Sequence, residues 1–308
     1  MKLTSTFFNF LERSVMKSSA EVLWLVLVLC LGVEGEVKPS AIRISGSQTM
    51  LALTRRLTEW YSSRNKGIVF QVDGSNPTKG FSSLTEGKSE ITQSSRRVLE
   101  GEVAALRSRR KLAFVEIPVA TEFAVIAVNS ANPVRTLSVF DLRMILSGQI
   151  KNWKQVGGKD APIRLLGRDE SSEARNLIDE EFMGDASFSS TIKELRTNSA
   201  VLSSIATDPA ALAYCDVDLH PPRGVRFIGI KASASSEGIE PTGENIRSHR
   251  YTLSRTLYFY FAGPPSPELM KFAEWVLSPE GQLVVKAVGL YPLGSVDREQ
   301  ARLRLEKR

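Results

Sequence analysis

The stretch "LLGRDESSEARNLIDEEF", Leu165 to Phe182, begins as a short apolar run and passes through Arg168 and the pair Ser171 and Ser172. It then continues with Leu177, Ile178 and Phe182 at helical spacing. Strand, polar turn, helix is the repeating unit of α/β sheets. The same order comes three more times. "AIRIS" (41–45) opens into "GSQTM" and a helical pattern carrying Leu51, Leu53, Leu57 and Trp60. "GIVFQV" (67–72) opens into "DGSNPTKG" and a helix with Phe81 and Leu84, and "SEITQSSRR" (89–97) is a short strand running into polar residues. Four strand ends that open into Ser, Thr, Gly or Asn predict an α/β architecture. Its loops gather at the carboxyl edges of the strands, where such sheets bind ligands.

Between these units, "KLAFVEIPVATEFAVIAVN" (111–129) supplies two strand-like runs broken at Pro118, which is expected to mark the passage from one lobe to another. Leu137 to Trp153 is expected to be a helix with Gly148 near its stop. "TLYFYFAG" is a strand, "PELMKFAEWVLSPEGQLVVKAVG" a pair of helices split at Ser-Pro, and residues 231–250 a long loop. Residues 296–308 are polar and basic and are expected to be a surface tail.

The chain has 308 residues, long enough for two packed units, and its 42% hydrophobic and 24% charged residues are ordinary for a globular protein. Val22 to Val33, "VLWLVLVLCLGV", is an apolar run preceded by Lys2, Arg13 and Lys17. It is short for a membrane span and right for the core of an export signal, with cleavage expected near Gly35. Lipidation at Cys30 fits less well because bulky Leu29 precedes it. Residues 1–35 hold three cations and three carboxylates, so the net +6 belongs to the rest of the chain. Only Cys215 then remains, and no disulfide framework is needed.

Several chemistries are excluded or disfavoured. Two histidines, His220 and His249, and one remaining cysteine do not make a usual zinc site, and no cofactor motif is present. No G-x-S-x-G elbow marks a hydrolase, so an enzyme is not expected. The basic run "RSRRK" (107–111) lacks interleaved aromatics and reads as a solvated helix end, so no nucleic-acid partner is expected. "DEEF" (179–182) reads as a solvated helix face. What remains is the hydroxyl chemistry of the four loops. Uncharged donors can hold an oxyanion, and the candidates are Ser47, Thr49, Ser75, Ser94, Ser95, Arg168, Ser171 and Ser172. Plain capping of the following helices explains any one of these loops by itself; four together favour a ligand.

The run from Leu137 to Arg175, with its "SG-x-I-x-NW" turn, its "GG" and then the loop at Arg168, resembles the phosphate-binding proteins of bacterial phosphate ABC importers. "ISGSQTM", "DGSNPTKG" and "ITQSSRR" resemble that family's three earlier ligand loops, and "YTLSRTLYFYF" and "FAEWVLSPEGQLVVKAVGLYPL" its C-terminal strand and helix pair. The resemblance covers roughly residues 40–295. It implies a two-lobed, type II periplasmic-binding-protein fold. Each lobe is then a mixed sheet flanked by helices, with the ligand cleft between the lobes. Residues 36–118 plus 250–295 would form one lobe and 119–249 the other. It also implies an exported, periplasmic and monomeric protein that gives inorganic phosphate or a related oxyanion to a membrane permease. Ligand positions carry over onto Ser47, Thr49, Met50 through its N–H, Ser75, Ser94 or Ser95, Arg168 and Ser172.

The fourth loop departs from the family pattern. Where the family has Gly-Ser-Gly-Thr this chain has Ser171, Ser172, Glu173 and Ala174. Ala174 lacks the threonine hydroxyl, and Glu173 could repel a dianion or occupy its donors; a carboxylate is also simply favourable in the first turn of a helix. Where some members carry an Asp in the third loop, this chain has Ser95. Two outcomes stay open: capture of phosphate or a similar oxyanion for an importer, or a sensor or interaction protein that keeps the fold without binding phosphate.

Overall fold

The structure, a computed structural model, describes residues 41–216 and 219–306. The expected export signal at 1–35 and its Cys30 lie outside them.

The chain starts with β1 (Ile42–Ser47), α1 (Leu51–Arg64), β2 (Phe70–Ser75), α2 (Pro77–Thr85), β3 (Ile91–Ser94), α3 (Glu100–Arg110) and β4 (Phe114–Phe123). Sequence pattern explains each element. Leu53, Leu57 and Tyr61 recur every fourth residue and are the buried stripe of α1. Asn76 caps α2 by accepting from the Lys79 N–H at 2.9 Å, with Pro77 in the first turn.

A second sheet follows. Its part of the chain is β5 (Val125–Asn129), β6 (Thr136–Ser138), α4 (Val139–Leu146), β7 (Arg164–Gly167), α5 (Glu173–Ile178), β8 (Lys193–Glu194), α6 (Asn198–Thr207), β9 (Ala211–Cys215), β10 (Val225–Phe227), β11 (Gly229–Lys231) and α7 (Gly243–Arg247). The chain then returns through β12 (Ser254–Ala262), α8 (Pro267–Val276), α9 (Pro279–Ala287) and α10 (Ser295–Glu306). The first sheet has the order β2-β1-β3-β12-β4 and the second β10-β5-β9-β7-β8, with β6 and β11 as a separate parallel pair. β1 lies parallel to β2 and β3, while β12 runs antiparallel to β3 and β4. Each sheet has its own apolar core, one around Ile44, Leu57, Phe259 and Phe272, the other around Val125, Leu146, Trp153 and Tyr214. This is the two-lobed α/β fold of type II.

Four expectations change. Pro118 does not break a strand, because β4 runs through it to Phe123. Pro118 sits on an edge strand beside a register shift opposite Leu257 and Tyr258, where a missing N–H costs no regular ladder bond. The chain passes to the second sheet at Ala124, whose N–H donates to the carbonyl of Leu253, just before β12, at 3.0 Å. The helix expected over 137–153 is only α4. Ser138 and Asp141 cap it reciprocally, and Gly148 ends it at φ 75°. The "NW" that follows is an anchor: Asn152 caps a short 3-10 turn and buried Trp153 donates from Nε1 to the Ala210 carbonyl at 2.8 Å.

The segment 231–250 is not one loop; it carries α7, with Ile246 buried. Of residues 296–308, expected as a tail, those up to Glu306 form most of α10, which docks on β4 through buried Ala301 and Leu305. Their spacing of four puts both on one helical face, a signal outweighed by the surrounding arginines. Cys215 is buried and free, and burial pushes its thiol up.

Candidate functional site

The three loops of the first sheet leave neighbouring parallel strands at the same edge. Gly46, at φ 135°, is what lets β1 and β3 approach: a Cβ there would lie 2.0 Å from the Gln93 carbonyl oxygen. Next to it, the Ser47 hydroxyl lies 3.0 Å from Thr49 Oγ1 and 3.2 Å from Ser95 Oγ, so three of the candidate hydroxyls form one cluster. Gln93, fully buried, fixes the loop by donating to the Ser47 carbonyl at 2.9 Å. Ser75 lies beside the cluster on the neighbouring strand and donates to the Gly46 carbonyl at 3.3 Å. Ser94 is turned to local use, donating to the Arg96 carbonyl at 2.6 Å. Met50 packs its side chain wholly into the core, leaving only its backbone for a ligand.

The fourth loop follows β7. Here too a glycine decides the geometry, because a Cβ on Gly167 would lie 2.3 Å from the Tyr214 ring. The Tyr214 hydroxyl donates to the Arg168 carbonyl at 2.7 Å and accepts from Arg175 Nη1 at 3.0 Å. The backbone of the loop is therefore clamped from β9. Arg168 donates from Nη1 to Asn198 Oδ1 at 3.4 Å, while its Nε–H is buried and has no partner among the described residues. Arg226 Nε, Arg255 Nη2 and Arg298 Nε are likewise buried without a partner among the described residues; that of Arg168 stands out because it belongs to the loop that the sequence marks for an anion, where a free guanidinium N–H can donate to one. Ser172 is buried and caps α5, accepting from the Arg175 N–H at 3.4 Å; Ser171 is exposed, and its hydroxyl donates to Asp169.

Glu173 and Ala174 take the places that the sequence marked as altered. Ala174 is fully buried in the core of the second sheet, where its methyl packs. Among the described residues the hydroxyls of Ser47, Ser75, Ser94 and Ser172 have other partners than Glu173. Burial, with the charges of Glu122, near the end of β4, and of Asp216, pushes the Glu173 carboxyl up to about 8. Glu122 is 1% exposed and pairs in register with Arg255 on β12, accepting from its Nε at 2.7 Å.

Arg255 in turn reaches across to the other lobe. Its Nη1 lies 2.7 Å from Glu180 and 3.0 Å from Glu181. Glu180 also lies 3.5 Å from the Thr49 hydroxyl. "DEEF" is thus not simply a solvated face. It forms a π-helical turn, Asp179–Met183, whose carboxylates bind the opposite lobe, and such turns recur at functional sites. Burial alone would disfavour the Arg255 charge, but Glu122 and Glu180 more than offset it and its pKa is raised. The sequence does carry a sign of this pair. Glu122 in "VATEFAV" and Arg255 in "YTLSRTLYFYF" are lone charges inside apolar strands, and a charge placed there needs a partner.

Comparison with known proteins places this geometry in a family. A model described as the PBP superfamily domain matches residues 34–280. The phosphate-binding protein PstS of Bacillus subtilis is 28% identical over 250 residues, 81% of this chain and 79% of that protein. The PstS of Pseudomonas aeruginosa is 24% identical over 272 residues, covering 83% and 84% of the two chains. Among solved structures, a "possible phosphate binding protein" from Planctomyces limnophilus has a TM-score of 0.76 at 24% identity, covering 86% of this chain and 97% of that one. An ABC-type phosphate transport receptor from Vibrio cholerae has a TM-score of 0.60 at 27% identity, covering 81% and 99%.

Proposed function

The chain belongs to the PBP superfamily, and on that premise we propose that it is an exported solute-binding protein. Its interlobe cleft captures phosphate or a similar oxyanion and delivers it to the membrane permease of an ABC importer. The idle, buried Nε–H of Arg168 carries this assignment. A guanidinium with an unpaired donor gains charge-assisted hydrogen bonds when an oxyanion arrives, and a neutral ligand offers less.

The first-sheet cluster of Ser47, Thr49 and Ser95 supplies neutral donors that can be turned from one another to the anion. Ser75 and the Met50 N–H complete that side, with Ser172 on the other. No bond is made or broken, so the work of the site is dehydration and enclosure of an ion between two lobes.

The experiment is calorimetric titration of the purified chain with phosphate, sulfate and arsenate. Saturable phosphate binding with one site per chain is the expected result. Absence of binding for all three ions sinks the proposal and leaves the sensor or interaction alternative.

A further inference from the structure

We propose that Arg255, Glu180 and Glu181 form a latch that holds the two lobes together without help from a bound anion, and that this latch sets how fast an anion enters and leaves the cleft. The latch stands apart from the anion site; only its effect on exchange rests on the function proposed above.

The Arg255 side chain is 8% exposed and is fixed on its own lobe. Its Nε donates at 2.7 Å to Glu122, the residue paired with it in register on β4. That leaves Nη1 to face the second lobe, where it lies 2.7 Å from Glu180 Oε2 and 3.0 Å from Glu181 Oε1. The two halves of this arrangement differ in a way that suits a latch. The Glu122 bond is buried and stays within the first sheet, so opening of the cleft leaves it intact. Glu180 and Glu181 are 47% and 41% exposed, so on release their carboxylates regain water and strand no buried charge of their own. The guanidinium is already held when the second lobe arrives, and little of its freedom is left to lose.

The two carboxylates are as firmly placed. They sit in the π-helical turn Asp179–Met183, which continues α5 directly, and Arg143 of α4 pins that turn by donating from Nε to the Phe182 carbonyl at 2.6 Å. α5 begins at its cap, Ser172, in the fourth loop. One continuous helical piece therefore carries Ser172 at its start and the latch at its end, and parting the latch swings the fourth loop away from the first sheet. The other oxygen of Glu180, Oε1, lies 3.5 Å from the Thr49 hydroxyl, at the rim of the hydroxyl cluster. All of these partners belong to the chain, so the ion pairs form with or without an anion. A contact equally present in both states does not shift binding between them. It slows opening, and with it both entry and exit.

The test uses the full chain with spin labels at Lys79→Cys, in the first turn of α2, and at Arg196→Cys, two residues after β8. Both residues are exposed and follow strands at the carboxyl edges of their sheets, so their separation reports the width of the cleft. Cys215 is buried and does not take the label. Pulsed EPR of the chain in chloride, free of oxyanions, should give one short distance at about 0.1 M salt. A second, longer by more than about 2 Å, should grow in toward about 1 M, as the screening length falls from about 10 Å to about 3 Å. Glu180→Gln combined with Glu181→Gln should show the longer distance already at low salt and lose the response to salt. Glu122 still pairs with Arg255 in this variant, so it should melt within a few degrees of the unaltered chain. Rapid mixing with phosphate should show association and dissociation both faster by roughly threefold to tenfold, with affinity changed by less than about threefold. Distances that respond to neither salt nor substitution overturn the latch. Faster dissociation with unchanged association would mean that the ion pairs form only around the anion, and the anion-independent hold would be wrong. A cleft that opens as expected in a chain that binds no phosphate upholds the latch, while the claim on exchange falls with the anion site.

Discussion

The two sides of the cleft are built on opposite principles. The first-sheet loops offer hydroxyls and backbone with no charge: Ser47, Thr49 and Ser95 bond mainly to each other. A few residues away, the hinge side packs Glu122, Glu173, Arg255, Glu180 and Glu181 into one ionic cluster. Neutral donors cost little to keep near water and can be re-aimed at a ligand. A buried ion pair costs several kcal/mol of desolvation per ion, so it persists only with close partners, and once formed it is costly to disturb. One side is therefore suited to exchange of ligand and the other to holding the two lobes in register.

Breaking the ionic side should have the largest effect. Arg255→Met leaves Glu122 buried without its counter-ion and frees Glu180 and Glu181 from the opposite lobe. Removal of one partner of such a pair costs about 3–5 kcal/mol. For a chain of this size the melting temperature should fall by roughly 10 °C. Adding Glu122→Gln to Arg255→Met removes the stranded charge and should restore part of the loss. Equal melting of the single variant and the unaltered protein would mean that the cluster holds nothing together.

Arg168→Ala comes next, and it should separate the two sides cleanly. Its guanidinium has one weak bond to Asn198 and an idle Nε–H, so the folded state depends on it little. Charge-assisted hydrogen bonds of this kind are worth about 1.5–3 kcal/mol, and phosphate affinity should fall roughly 10- to 150-fold in calorimetry while the melting temperature stays within a degree or two. A variant that melts early but binds normally would assign Arg168 to structure.

Glu173→Gln probes the seam between the sides through pH. The carboxyl is held at about 8 in the folded chain against an ordinary value of 4.5. The folded state therefore keeps a proton that the unfolded state has already lost across that window. Its stability must decline as pH rises from about 4.5 to 8 and level off above. Partial exposure of Glu173 scales the effect down to on the order of 1–2 kcal/mol, or a few degrees of melting temperature, and Glu173→Gln should flatten that slope. A melting temperature that rises over the same pH range in the unaltered chain would show that other carboxylates dominate.

Much of the frame was legible before any coordinates. The four strand-loop-helix units and the helix pair after Phe261 follow from local patterns, because capping, periodicity and strand-end chemistry act within a few residues. What was not legible depends on partners far apart in sequence. Arg255 meets Glu122 and Glu180 at separations of 133 and 75 residues. "DEEF" taken alone has the composition of a solvated face, and only the closing of one lobe on the other turns it into an ion-pair partner. Pro118 misleads for a related reason: its effect depends on whether its strand lies at a sheet edge, a property of topology. The Ala301 and Leu305 face of α10 was visible in spacing but was outweighed by charge.

The smallest predicted effect sharpens the hydroxyl side. Ser47 and Ser171 are both serines in candidate loops, yet one is buried in the hydroxyl cluster and the other is exposed with its hydroxyl engaged by Asp169. Ser47→Ala removes a donor from the cluster and leaves Ser95 without the hydroxyl it accepts from, so phosphate affinity should fall about threefold to tenfold, the worth of one ordinary hydrogen bond. Ser171→Ala breaks only a local turn contact at the surface and should change affinity by less than about twofold. If the two substitutions weakened binding equally, the distinction between a pre-built hydroxyl cluster and a serine that merely shapes a turn would collapse. The anion would then have to sit closer to the second sheet than the idle donor of Arg168 and the cluster at Ser47 together imply.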